Sequence, residues 1–187
     1  MAIIGLSKLH YARMTTEDTA TTAPVYETPK RLIGVNSVSI SPENDTATLY
    51  GDNMALDSKS STRQRTITLE IARLSPEDQA ALLGYEYDSS TKKMSVNGDA
   101  AAPNVAIMYE LDTDEGKKWY YVFYKGKFAP SNEDANTRGD SLEYGLHSIE
   151  GTFVARIDNG LVYEIKEADA TDTTTATSWY GTVGGGA

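Results

Sequence analysis

Residues 105–156 read VAIMYELDTDEGKKWYYVFYKGKFAPSNEDANTRGDSLEYGLHSIEGTFVAR. Two apolar, aromatic-rich runs, 105–111 and 119–124, flank Asp112-Thr113-Asp114-Glu115-Gly116. β-Branched and aromatic side chains suit a pleated, half-buried surface, and Asp and Gly suit the turn between them, so the stretch predicts a long β-hairpin. The polar residues 131–140 predict a loop, and 142–157 a further strand. Strand 119–124 carries aromatic or β-branched residues on both faces. One face enters a core. The other is too apolar for open water, so a helix or loop of the same chain, or a neighbouring subunit, must cover it.

Working outward, the same pattern recurs. Residues 7–14 alternate, with Leu9, Tyr11 and Arg13 on one face and Lys8, His10 and Ala12 on the other. Residues 31–41 and 46–50 read as strands separated by Pro42-Glu43-Asn44-Asp45, which has turn chemistry. Residues 51–63 (GDNMALDSKSSTR) read as a long polar loop, and loops of that length are usually functional or disordered. It feeds the clearest strand, 64–73, in which Ile67, Leu69 and Ile71 face one way and Thr66, Thr68 and Glu70 the other. Residues 85–87 and 93–96 predict a second hairpin and 161–166 a last strand.

One helix stands out. Ser75 suits the N-cap and Pro76 the first helical position; Glu77 and Asp78 complement the helix dipole, and Gly84 suits the stop. A helix so short needs a sheet to pack on. The expected fold is mainly β: an antiparallel β-sandwich or barrel, one short flanking helix near Pro76–Leu83, and long loops. Residues 1–166 form the domain, with 51–63 as an extended loop or arm, and 167–187 read as a flexible Thr- and Gly-rich tail.

The 187 residues include no Cys and carry a formal net charge of −10. Disulfides and thiolate metal sites are therefore ruled out, and synthesis in a reducing compartment is the expectation. No apolar run approaches the roughly 20 residues that span a bilayer, so no membrane association is expected. Affinity for the nucleic-acid backbone comes from Lys and Arg, so an acidic chain does not clamp DNA. Its carboxylates suit a solvated surface, or a surface that nucleic acid passes without sticking.

Catalytic chemistry finds no footing. Ser141, His147 and Asp140 can be assembled on paper, without the Gly-x-Ser-x-Gly elbow that exposes a nucleophile. Asp112–Gly116 differs from a calcium loop, because Gly116 comes early and Lys117-Lys118 follows. No catalytic, cofactor-binding or metal-binding residue is assigned.

Several segments together resemble the major tail protein, or tail tube protein, of long-tailed bacteriophages. They are 5–12 (GLSKLHYA), 47–53 (ATLYGDN), 66–84 (TITLEIARLSPEDQAALLG) and 124–130 (YKGKFAP), then Thr137, Asp140, Ser141 and Tyr144, and finally 149–153 (IEGTF) with Arg156. The resemblance implies a β-sandwich with a flanking helix whose copies close into hexameric rings and stack into a hollow tube. It implies a location in the virion tail after synthesis in the host cytoplasm. Its partners would be other copies of the chain, the tape measure protein, and tail terminator or baseplate proteins, with DNA passing through the lumen unbound. The residues expected at subunit contacts are Asp52, Asn53, Met54 and Leu56 on the arm, and Trp119, Tyr121 and Phe123 on the aromatic strand. The alternative is a soluble, carbohydrate-binding β-sandwich that uses Trp119, Tyr120 or Trp179 as stacking platforms.

Overall fold

The computed structural model describes residues 2–51, 54–72, 74–130 and 146–185; side chains at 45, 47, 49–51, 55–56 and 59–63 are outside the description. The loop expected at 131–140, together with 142–145, Asp52 and Asn53, therefore lies outside the described residues.

Among the described residues eleven strands form: β1 (Ile3–Thr16), β2 (Val25–Tyr26), β3 (Lys30–Arg31), β4 (Val35–Gly51), β5 (Met54–Ile71), β6 (Glu86–Asp88), β7 (Lys93–Ser95), β8 (Val105–Thr113), β9 (Lys117–Ala129), β10 (His147–Val154) and β11 (Tyr163–Asp169). Two helices, α1 (Pro76–Leu83) and α2 (Thr173–Gly181), and a 3-10 turn at Val183–Gly185 complete the described chain. Nine strands make one antiparallel sheet in the order β2-β1-β8-β9-β10-β5-β4, with β3 added to β1 and β11 to β9; β6 and β7 form a separate hairpin. Among the described residues the sheet does not close into a barrel.

The predicted hairpin is β8–β9, with Leu111 opposite Trp119 and Tyr109 opposite Tyr121. β9 has two neighbours along its far edge. Its first half pairs with β11, from Lys117 opposite Asp169 to Phe123 opposite Tyr163. Past the register shift between Val105 and Ile107 in its pairing with β8, it pairs with β10 instead, from Gly126 opposite Phe153. The exchange of partners folds the β10-β5-β4 half back over the β1-β8-β9 half. Leu9, Tyr11, Ile107, Tyr109 and Phe123 of one half meet Ile67, Leu69, Ile149 and Phe153 of the other in the first core.

The fold-back brings glycines and aromatic rings into cross-strand register. Phe153 lies opposite Gly126, and Phe128 opposite Gly151. A methyl at Gly126 would stand 2.5 Å from Phe153 Cγ, and one at Gly151 would stand 2.8 Å from the Phe128 ring. Each glycine leaves room for a ring to lie flat across the backbone. Gly126→Ala will therefore cost about 2 kcal/mol through overpacking, measured by denaturant unfolding.

β1 keeps both Leu6 and Leu9 on the first core, although they stand three positions apart. A bulge between Ser7 and His10, with Lys8 at φ 53°, supplies the extra residue. α1 forms as its caps predict: Ser75 Oγ accepts from Asp78 N at 3.1 Å, and Gly84 takes the left-handed φ of 75°. Leu82 and Leu83 enter the first core, and Tyr11 donates its hydroxyl to Asp78 at 3.0 Å.

Candidate subunit interface

Of the predicted loop at 51–63, Gly51 and residues 54–63 are strand. β4 and β5 pair from Val35–Ile71 out to Gly51–Met54, through the Pro42–Asp45 stretch that has turn chemistry. Pro42 is tolerated because β4 ends the sheet and needs no donor on its outer edge. β10 covers β5 between Gln64 and Ile71. Beyond Gln64, β5 pairs with β4 alone among the described residues, so the outer half is a bare two-stranded ribbon. Such ribbons are marginal in water, and among the described residues both edges are without a strand partner. Met54 at its tip is 64% exposed. Leu56 lies in the same strand of the tip, and Asp52 and Asn53 lie outside the described residues.

A second surface opens beside the first core. Leu6 of β1, Val38 and Ile40 of β4, Tyr109 and Leu111 of β8 and Tyr121 of β9 line a groove of about 330 Å³. Tyr109 and Tyr121 stack on its floor with centroids 5.0 Å apart. Ile165, opposite Tyr121 on β11, extends it and is 46% exposed. The three aromatic residues expected at subunit contacts therefore occupy three different environments. Phe123 is buried inside the first core and has no surface to offer a neighbour. Tyr121 lines the groove. Trp119, half-buried, donates its indole N–H to Glu167 at 2.9 Å.

The opposite face of β1-β8-β9 is covered by the chain's own C-terminus. The tail expected to be mobile continues β11 to Asp169 and then forms α2, whose N-cap Asp172 accepts from Thr175 N at 3.0 Å. Trp179 and Val183 bury against Met108, Tyr120, Val122 and Tyr124 in a second core. Tyr180 stacks on His10 at 4.2 Å. Tyr120 and Trp179 are thus 1% and 5% exposed, and two of the three aromatics that a carbohydrate platform would use are closed to ligand.

Beneath this cover lies Glu110, its side chain fully buried. It accepts from Lys118 Nζ at 2.8 Å and Ser7 Oγ at 3.0 Å, with Lys8 Nζ at 3.2 Å. Burial raises its pKa, but the donors, Lys118 first, outweigh burial and hold it below the usual carboxylate value. For His10, burial lowers the pKa and the nearby Arg31 and Lys8 charges act in the same direction; the Lys8 carbonyl and Glu110 oppose them. A histidine pKa lowered by folding gives stability that is fully present above the unfolded value, about 6.5. That stability is lost as pH falls through the folded value. Unfolding measured from pH 7 down to pH 5 will show the wild type losing more stability than His10→Gln.

Another buried carboxylate, Asp18, accepts from Lys125 Nζ and Ile157 N, which ties the loop after β1 to β9 and to the segment that follows β10. These ionised groups are all engaged structurally. The candidate calcium loop is the β8–β9 turn, where Asp114 Oδ1 accepts from Ala2 N at 2.8 Å. Among the described residues, no cluster of three or more His, Asp or Glu could hold a metal. His147 sits exposed at the start of β10, and Asp140 and Ser141 lie outside the described residues.

The arrangement has the features of a structural subunit: an incomplete sheet, a projecting ribbon and an apolar groove at its open side. A family model described as phage tail tube protein matches residues 2–144. No curated protein matches the chain. With so much of its length matched, the chain belongs to the phage tail tube protein family, as a structural component of the virion tail.

Proposed function

We propose that this chain assembles with its own copies into stacked hexameric rings, forming the hollow tail tube through which DNA leaves the virion. The observation that carries this reading is the bare outer ribbon of β4 and β5, which has no partner within the described residues. An unpaired two-stranded projection gains stability when another copy pairs with it or packs on it. The outer edges of β4 and β11, unpaired among the described residues, offer further places where sheets of neighbouring subunits join. A formal net charge of −10 supports a lumen that repels phosphate, so that DNA slides without being held. The tape measure protein would occupy the lumen before ejection, with terminator and baseplate proteins at the tube's ends.

Negative-stain microscopy of the concentrated chain tests the reading. Hollow tubes with six-fold rings are expected. Monodisperse monomers at every concentration would overturn it.

A further inference from the structure

We propose that α2 and the turn after it, residues 173–185, form a latch over the β1-β8-β9 face, and that protonation of His10 opens it while the two halves of the sheet stay packed. The latch hangs from the sheet by a short connection, 170–172, that follows the last pair of β11, Asp169 opposite Lys117.

The latch closes with a deficit. Of the nine residues of α2, four are Thr, one is Ser and one is Gly, all poorer helix formers than Ala. A helix of that length and composition is marginal without the sheet beneath it. Its hold on the sheet is apolar: Trp179 and Val183 bury against Met108, Tyr120, Val122 and Tyr124. Among the described residues, the buried side-chain polar atoms without a hydrogen-bond partner are Trp179 Nε1 and Tyr180 Oη, both on the latch. Each is stripped of water on closure and gains no bond in exchange, so closure is weaker than the buried area alone would give. Opening disrupts the second core only. The first core lies on the other face of the same strands and contains no residue of the latch.

His10 is the group beneath the latch whose charge changes between pH 7 and pH 5. Its ring stacks on Tyr180 with centroids 4.2 Å apart. Its Nδ1–H donates to the Lys8 carbonyl at 2.7 Å, since a carbonyl oxygen can only accept, and an added proton therefore goes to Nε2. The cation so formed faces Lys8 on its own strand and Arg31 opposite it on β3. Glu110 of β8 opposes these two charges, but that carboxylate is already held by Lys118, Ser7 and Lys8. From the latch the cation meets the Tyr180 ring, whose hydroxyl makes no regular bond to Glu110 although that charge reaches it. Tyr120 of β9 stands against Tyr180 with centroids 6.3 Å apart. Tyrosine, lysine and arginine titrate well above this range. Burial raises the Glu110 pKa, but its donors hold it below the usual carboxylate value, so it stays ionised. Burial lowers the His10 pKa, so the neutral ring belongs to the closed latch. The charged ring belongs to the open one, where water replaces the Tyr180 cover.

Hydrogen exchange at residues 173–183 of the full-length monomer, followed from pH 7 to pH 5 and corrected for the intrinsic rate at each pH, tests the latch. Protection of these amides is expected to fall as pH drops below about 6.5, by up to about tenfold per pH unit for one proton, while the amides of β8 and β9 keep theirs. His10→Gln is expected to abolish the fall, and His147→Gln, at an exposed site on β10, to leave it intact. A second reading uses the absence of cysteine. Ala106→Cys places a thiol in the second core beneath the latch. Its labelling by a thiol reagent, relative to free cysteine at the same pH, is expected to quicken by the same factor. Protection lost from 173–183 and from β8 together, or a fall as steep in His10→Gln as in the wild type, would overturn the latch. So would A106C labelling whose relative rate does not rise between pH 7 and pH 5.

Discussion

Replacing residues 45–61 with an Asn-Gly turn will leave a folded monomer that no longer polymerises. The excised segment is the outer ribbon, whose strands pair with each other and with no further strand among the described residues. Asn44 and Thr62 are opposite each other and will accept a tight two-residue turn, for which Asn-Gly is the favoured sequence. The base of the hairpin keeps its pairing with β10 and its Ile67, Leu69 and Ile71 in the first core. Stability should therefore change by less than about 1 kcal/mol, since a ribbon of this kind is marginal by itself. Assembly should fall from tubes to none under the conditions in which the wild type polymerises. Circular dichroism and light scattering separate the two outcomes. An unfolded product would show that the ribbon supports the fold, and undiminished tubes would remove its assigned role.

Trp179→Ala will destabilise the monomer by about 3 kcal/mol, within the range for truncating a buried aromatic residue. Trp179 is 5% exposed and packs beside Tyr120 with ring centroids 6.0 Å apart. Met108, Val122 and Tyr124 share that core, and Val183 closes it. For a chain of this size the loss corresponds to a fall in Tm of roughly 6–12 °C. A tail detached from the sheet would give a change within about 0.5 kcal/mol. The measurement therefore distinguishes an integral C-terminal element from an appended one, and thermal unfolding is sufficient to read it.

The central hairpin was legible because both its strands and its turn carry strong local preferences. The helix was legible from its caps, Ser75 and Gly84. The ribbon was not, because its sequence, from Asp45 to Ser61, carries no period-two hydrophobic alternation. Pro42 added a misleading signal, since an edge strand has no donor requirement there. α2 was hidden by its Thr-rich sequence; the residues that announce it are its N-cap Asp172 and the isolated Trp179 and Tyr180. The two-faced aromatic strand stated that something must cover Tyr120, Val122 and Tyr124, and its own C-terminus does so. Along its other face, alternation assigns Trp119, Tyr121 and Phe123 to one side but cannot say where that side leaves the core. That boundary falls at Tyr121, because β4 ends the sheet and leaves the groove open above it.

The central claim is that copies of the chain complete what one copy leaves open. Backbone hydrogen exchange of residues 44–62, compared between monomer and polymer, tests it most directly. In the monomer these amides should exchange rapidly, because a bare ribbon opens at little cost. In the polymer the same amides should become protected, while those of β8 and β9 are protected in both states. Equally rapid exchange of the ribbon in monomer and polymer would contradict the account.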